Sequence, residues 1–268
     1  MSRPARLVLL GHPVAHSLSP RIHNAALRAA GIPLEYTTLD VLPAQLRATL
    51  RTLRAEGAAG NITIPHKQSV FEICDHVTNV AERAGAVNTF WVQDGALIGD
   101  NTDVPGFEFA ARELMASARA EMPMRIALIG AGGAAAAVAT AIREWDDAEL
   151  VIWSRDPQRA QALAQRFALA RAEADLVSAV RGAELVVNAT PMGMSDDELP
   201  VPIAALPARC PVLDLVYRRG ETAWVRAARD AGHTASDGLP MLVEQAARSF
   251  RRWLGVEPNR EVMWGAVE

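Results

Sequence analysis

Residues Arg125-Ile126-Ala127-Leu128-Ile129-Gly130-Ala131-Gly132-Gly133-Ala134-Ala135 join a short apolar run to a glycine-rich turn and then to a string of alanines. The run suits a buried strand, and alanine is the strongest helix former. Strand, glycine turn and helix in that order make the bend on which a dinucleotide's pyrophosphate rests. Gly130 permits the tight turn, Gly132 lets backbone approach phosphate, and the small Ala135 lets helix and strand pack closely. The helix start adds N–H donors and a favourable dipole. The same glycines could serve a mere packing turn; the flanking strand and helix favour the nucleotide.

The next strand, Glu149 to Trp153, ends at Ser154-Arg155-Asp156-Pro157-Gln158-Arg159. At this tip an acidic residue binds the ribose 2′-hydroxyl of NAD, whereas arginine accommodates the 2′-phosphate of NADP. Ser154, Arg155 and Arg159 suit the phosphate. Asp156 argues the other way unless it caps the helix that starts at Pro157. Guanidinium–phosphate contacts are strong, so NADP is the expected cofactor.

Beyond this stretch the chain keeps alternating. The small-residue helix runs to about Glu144, and a helix follows over Pro157 to Phe167. Strands then fall at Glu184 to Asn188 and Val212 to Leu215, a helix at Glu221 to Ala231, and a last short strand at His233 to Ser236. A long amphipathic helix closes the series over Pro240 to Leu254. Before the glycine turn, Arg6 to Leu10 reads as a strand, Pro20 to Ala30 as a helix, Leu34 to Leu39 as a strand and Leu42 to Glu56 as a helix. Asn61 to Ile64 is a third strand; Val87 to Val92 and Ala96 to Ile98 flank the hairpin signal Asp94-Gly95. A helix from Val104 to about Ala118 leads into the second half. The order predicts a mainly parallel sheet with the hairpin as antiparallel edge strands.

Half of the 268 residues are hydrophobic, 22% are charged and the net charge is −4, ordinary for a globular chain of about two domains. The basic residues are dispersed, so no nucleic-acid footprint is visible. Cys74 and Cys210 form neither a disulfide framework nor a metal-spaced cluster, and the six histidines fit no zinc signature. With no apolar run of membrane-spanning length and no signal-peptide pattern, a cytoplasmic location is the default expectation.

Of the 27 basic residues, 26 are arginine and one is lysine, Lys67, at the end of Asn61-Ile62-Thr63-Ile64-Pro65-His66-Lys67. Arginine keeps its proton in proteins, whereas a lysine can be tuned to give or take one. Lys67 also falls just past the carboxyl end of a predicted strand, where α/β sheets place ligands. A lone surface lysine is the plain alternative. Asp103, by position alone, reads as a cap for the helix that follows. Ser17 and Ser19 lie two apart in an extended loop and can face one way, although serine before Pro20 is also an ordinary helix cap. Asn88 on a predicted strand is unfavourable there, which favours a site role.

Taken with Gly11-His12-Pro13-Val14-Ala15-His16-Ser17-Leu18-Ser19-Pro20, Gly85-Ala86-Val87-Asn88-Thr89, Gly99-Asp100-Asn101-Thr102-Asp103, Asn188-Ala189-Thr190-Pro191-Met192-Gly193-Met194, Asp214-Leu215-Val216-Tyr217 and Asp237-Gly238-Leu239-Pro240-Met241-Leu242-Val243-Glu244-Gln245-Ala246, these stretches make the chain resemble the shikimate dehydrogenase family. The resemblance runs in order from Gly11 to about Gln245. It implies an α/β protein of two domains with the active site in the cleft between them. A mixed, mainly parallel substrate domain would hold residues 1–103 plus 239–268, and a Rossmann-type NADP domain residues 104–238. The implied reaction is the reversible NADPH-dependent reduction of 3-dehydroshikimate to shikimate, a step in aromatic amino-acid biosynthesis.

Lys67 would then be the proton donor or acceptor, with Asp103 its partner. Ser17, Ser19, Thr63 and Tyr217 would hold the substrate carboxylate, and Asn61, Asn88 and Gln245 the ring hydroxyls. Gly130, Ala131, Gly132, Gly133, Ala134, Ser154, Arg155, Arg159, Thr190, Met192, Leu215 and Gly238 would contact the cofactor, with no metal. The expected partner is the small-molecule substrate alone, in a monomer or homodimer, without nucleic acid or membrane. The rivals are a quinate or dual quinate/shikimate dehydrogenase, a two-domain dehydrogenase acting on a folate or an amino acid, and a silent NADP-binding sensor.

Overall fold

The computed structural model describes residues 3–218 and 220–267. Its chain divides into two compact units, residues 1–106 with 242–268, and residues 107–241.

In the first unit, β1 (Leu7–Gly11), β2 (Tyr36–Asp40), β3 (Ala59–Ile62), β4 (His76–Val77), β5 (Thr89–Gln93) and β6 (Ala96–Asp100) form one sheet in the order β2-β1-β3-β5-β6-β4. β1 is parallel to β2 and β3, while β5 runs antiparallel to both β3 and β6. The hairpin turns on Asp94 and Gly95, both at positive φ (52° and 76°), as a two-residue turn requires. It is not at the sheet edge as expected, because the two-residue β4 adds beyond β6. So short a strand carries no periodic signal. Helices α1 (Ser19–Ala29), α2 (Leu46–Glu56), α3 (Lys67–Ile73) and α4 (Asn79–Ala84) complete the part before residue 100. The helix expected from Leu42 begins instead as a single 3-10 turn at Pro43–Gln45. The short α3 and α4 were not anticipated. Val8, Leu10, Leu46, Leu50, Leu53, Ile62, Val70 and Phe90 form the core between sheet and helices.

Register sets the working edge of this sheet. Leu10 pairs with Ile62 and Gly11 with Asp40, so the carboxyl ends of β1, β2 and β3 lie together. Asn61 pairs with Thr89 and Thr89 with Asp100, which brings the start of β5 and the end of β6 to the same edge. Asn88 thus precedes β5 rather than lying within a strand, and its β-propensity is beside the point.

The second unit holds β7 (Arg125–Ile129), β8 (Glu149–Trp153), β9 (Ala170–Ala172), β10 (Leu185–Asn188), β11 (Val212–Asp214) and β12 (Ala235–Ser236), all parallel in the order β12-β11-β10-β7-β8-β9. The order reverses between β10 and β7, the switch point where such sheets bind ligands. Between the strands come α6 (Gly133–Ile142), α7 (Pro157–Ala164), α8 (Leu176–Val180) and α9 (Ala223–Asp230). Ile129 is in register with Trp153 and Asn188, and Asn188 with Asp214, so four strand ends fall on one row. Ala127, Ile129, Val186, Val212, Trp224 and Val225 pack beneath them. The remaining helices are α5 (Asp103–Ser117), α10 (Leu239–Leu254) and α11 (Arg260–Gly265). No helix among the described residues is long and apolar enough to cross a membrane.

Candidate active site

Lys67 is the first residue of α3, just past the end of β3. The intervening loop is stitched to β1. Thr63 N–H donates to Leu10 O at 2.8 Å and His12 N–H to Ile64 O at 2.9 Å. Gly11 permits this approach, since a Cβ there would lie 2.3 Å from Thr63 Cγ2. His66 is buried with Nε2 2.6 Å from Val41 O, which pins the turn before Lys67.

Lys67 Nζ donates to Asp103 Oδ2 at 2.7 Å, with the side chains 15% and 7% exposed. A lysine left on the surface by chance would not have this partner. Asp103 does not act as the cap of α5. Asn101 Oδ1 accepts the N–H groups of Asp103 (3.1 Å) and Val104 (3.3 Å), which frees the Asp103 carboxylate. Its other oxygen, Oδ1, accepts from Asn88 Nδ2 at 2.7 Å. Asn88 is buried and oriented at both ends, because its Oδ1 accepts the Thr102 N–H at 2.7 Å. Gln245 reaches the same amide, its Oε1 accepting from Asn88 Nδ2 at a long 3.3 Å. Asn61 donates to Asn88 O (3.1 Å) and Ser249 Oγ (2.9 Å) and accepts from the Tyr36 hydroxyl (2.8 Å). The expected amine, carboxylate and three amides therefore meet at one sheet edge.

Ser17 and Ser19 sit at the entry to α1, beyond the end of β1. Ser19 is inside the helix rather than its cap; its N–H donates to Ser17 Oγ at 3.2 Å, and Leu18 takes the cap position. Tyr217 lies in the loop after β11, in the second unit with the cofactor candidates. Sequence reasoning passed over Asn101, Tyr36, Thr102 and Ser249. Tyr36, as one of two tyrosines, and Ser249, one helical turn past Gln245, were the available signals.

In the second unit, the glycine turn follows β7 as expected. Gly130 has φ 122°, and a Cβ there would lie 2.9 Å from Ala189 O. At Gly132, the cap of α6, an added Cβ would meet nothing within 4 Å. The first helical bond runs from Ala136 N–H to Gly132 O, so the earlier N–H groups have no partner within the helix, at an end where Gly132 leaves open space. Backbone donors facing room for an anion fit a pyrophosphate. At the tip of β8, Arg155 and Arg159 are exposed and Ser154 is half-buried. Asp156 is the cap of α7: its Oδ1 accepts from Gln158 N–H (3.0 Å) and Arg159 N–H (3.4 Å), and its Oδ2 lies 3.4 Å from Arg159 Nε. The carboxylate that argued for NAD is occupied by its own helix.

Thr190 and Met192 follow β10, and Leu215 follows β11. Asn188 ties both loops, its Oδ1 accepting Thr190 N–H (2.9 Å) and Thr190 Oγ1 (2.7 Å) while Nδ2 donates to Asp214 Oδ1 (2.8 Å). Asp214 also accepts from Val216 N–H (3.1 Å) and Thr222 Oγ1 (2.8 Å). Burial pushes its carboxyl up to about 6, against the pull of those hydrogen bonds. Gly238 joins the array through its N–H to Val216 O at 3.0 Å. Among the described residues no group of three His, Cys, Asp or Glu side chains is placed to hold a metal.

A Rossmann-type unit with an open glycine turn, in a chain that also holds a buried amine–carboxylate pair among neutral amides, defines a nicotinamide-dependent oxidoreductase. Comparison with known proteins narrows the class. The family model for the shikimate dehydrogenase substrate binding domain matches residues 9–90, that for the shikimate 5'-dehydrogenase C-terminal domain matches 238–268, and one described as NADP oxidoreductase coenzyme F420-dependent matches 125–202. The shikimate dehydrogenase (NADP(+)) of Rubrobacter xylanophilus is 45% identical, over 97% of this chain and 94% of the relative. The crystal structure of Thermus thermophilus shikimate 5-dehydrogenase with NADP(H) and shikimate is 39% identical, covers 98% of both chains and has a TM-score of 0.87. A Corynebacterium glutamicum quinate dehydrogenase in complex with NAD is 31% identical, covers 99% of both and has a TM-score of 0.87. The chain belongs to the shikimate dehydrogenase family.

Proposed function

We propose that this protein catalyses the reversible NADPH-dependent reduction of 3-dehydroshikimate to shikimate, with residues 1–103 and 239–268 binding the substrate and residues 104–238 the cofactor. The observation that carries the reading is the Lys67 ammonium held 2.7 Å from Asp103 Oδ2 at the sheet edge that Asn88 and Gln245 share. When bound, the reduced nicotinamide supplies the hydride that the ketone carbon takes up. The carbonyl oxygen becomes an alkoxide, which Lys67 stabilises and protonates. One of the three Nζ hydrogens is used on Asp103, which leaves donors for that oxygen. Asp103 fixes the amine and accepts from an adjacent ring hydroxyl.

Ser17, Ser19 and Thr63 offer hydroxyl donors to the substrate carboxylate, with Tyr217 as a fourth. The Asn88–Gln245 contact, a long 3.3 Å, is the place for a ring hydroxyl: entering there, it replaces one poor bond by two better ones. Asn61 serves the ring hydroxyls too, through the Oδ1 that also accepts from the Tyr36 hydroxyl, its amide hydrogens being already engaged. On the cofactor side, the backbone from Gly130 to Ala134 holds the pyrophosphate. Ser154, Arg155 and Arg159 hold the 2′-phosphate, and Thr190, Met192, Leu215 and Gly238 line the nicotinamide end. The test is a spectrophotometric assay of nicotinamide reduction with shikimate and with quinate, each with NADP and with NAD. The shikimate–NADP pair is expected to give the highest kcat/KM. Equal or greater kcat/KM for quinate overturns the substrate assignment, and a preference for NAD overturns the cofactor.

A further inference from the structure

One face of α10 carries Gln245, Ser249, Arg252 and Trp253, spaced so that all four look the same way. Each makes a polar contact with the sheet edge that bears the reacting pair. Gln245 meets Asn88, Arg252 Nε and Nη2 reach Asp100 Oδ2 at 3.1 and 2.7 Å, and Trp253 Nε1 donates to Thr89 Oγ1 at 3.0 Å. Ser249, fully buried, sits in the middle. Its Oγ accepts from Asn61 Nδ2 at 2.9 Å and lies 3.0 Å from Thr102 Oγ1. Thr102 Oγ1 in turn meets the Asn88 amide, 3.0 Å from Nδ2 and 3.2 Å from Oδ1. An unbroken chain of hydrogen bonds therefore runs from the Tyr36 hydroxyl through Asn61, Ser249, Thr102 and Asn88 to Asp103 and Lys67.

We infer that Ser249 is a positioning residue for the reaction: it locks Asn61 and Thr102 together, and through Thr102 and Asn88 it fixes the carboxylate on which Lys67 rests. The inference rests on the reading of Lys67 and Asp103 as the reacting pair. The physical reason is saturation. Asn88 has three acceptors within reach of two amide hydrogens, so its orientation is decided by which partner is held most firmly. With Ser249 in place, Thr102 is braced from the far side and Asn88 keeps its short bond to Asp103. Without that hydroxyl, a buried Asn61 donor loses its acceptor and Thr102 is free to turn. Tyr36 braces the same chain at its other end, against Asn61 Oδ1.

The experiment compares wild type, Ser249→Ala, Tyr36→Phe, the double variant and Lys67→Ala in shikimate oxidation with saturating NADP. The readouts are kcat, both KM values, and the isotope effect on kcat with shikimate deuterated at the reacting carbon. Melting curves with and without shikimate complete the set. Ser249→Ala is expected to lower kcat roughly tenfold, the scale of one lost buried hydrogen bond expressed at the transition state. The NADP KM should stay within about twofold, a cofactor contact being unaffected, and the isotope effect should rise as the chemical step becomes limiting. Tyr36→Phe should act in the same direction. The double variant should lose less than the product of the singles, because the brace from Tyr36 through Asn61 reaches Thr102 by way of Ser249. A Ser249→Ala protein with wild-type kcat and isotope effect overturns the inference, even if it melts earlier. If Ser249→Ala does not fold, the isosteric Tyr36→Phe decides in its place, and wild-type kinetics there overturn it. Full activity in Lys67→Ala would instead remove the underlying reading of the pair, so the two failures are distinct.

Discussion

Asp103→Asn replaces one oxygen of a carboxylate that is 7% exposed by an amide nitrogen of nearly the same shape. Both native oxygens are acceptors, Oδ2 for Lys67 Nζ and Oδ1 for Asn88 Nδ2, each at 2.7 Å. Asparagine has one acceptor oxygen to offer, so one of those donors must face an NH2 group. If Lys67 loses, a charge 15% exposed is left without its counter-ion. Breaking a buried pair from one side costs about 3–5 kcal/mol. The lysine side chain keeps some access to water, which puts the cost near the lower end, about 3 kcal/mol. That corresponds to a fall in melting temperature on the order of 10 °C. The amine also loses its orientation, so kcat for shikimate oxidation should drop by about 10² or more, as when an acid–base group is displaced.

The assay is thermal melting by circular dichroism beside initial rates with shikimate and NADP. A double variant, Lys67→Met with Asp103→Leu, supplies the control. Removing both charges should restore most of the lost stability while leaving the enzyme inactive. Asp103→Asn melting within about 2 °C of wild type, well short of the shift just derived, would refute the uncompensated-charge argument. So would a double variant less stable than the single.

Two further outcomes follow from the second unit. Burial raises the Asp214 carboxyl from 3.8 to about 6, so as pH rises the unfolded chain releases this proton first and the folded state loses stability through that window. The free energy of unfolding of wild type relative to Asp214→Asn should therefore fall by about 3 kcal/mol between about pH 4 and pH 7 and then level off; urea titrations giving a flat difference would contradict this. Arg155→Ala should raise the KM for NADP by about tenfold or more, the worth of a charge-assisted phosphate contact, with the KM for NAD nearly unchanged. Equal effects on both would place Arg155 away from the 2′-phosphate.

The amino-acid sequence alone determined the elements whose signal is local. β7 with its glycine turn, β8 with its tip, and the Asp94–Gly95 hairpin are each set by residues within a few positions of one another, so periodicity and turn chemistry suffice to find them. Lys67 stood out because it is the single lysine of the chain, and the ordered stretches around it pointed to the family. Tertiary structure decided what these residues do for each other. Whether Asp103 was cap or partner turned on Asn101, which took the helix N–H groups. Whether Asp156 favoured NAD turned on its engagement by α7. The short β4, α3 and α4 hold too few residues to show a period, and packing fixes them. The Ser249 contact joins residues 188 positions apart. A hydrogen bond between distant side chains leaves no periodic trace in the sequence, because its geometry exists only once both elements have been folded onto the same edge.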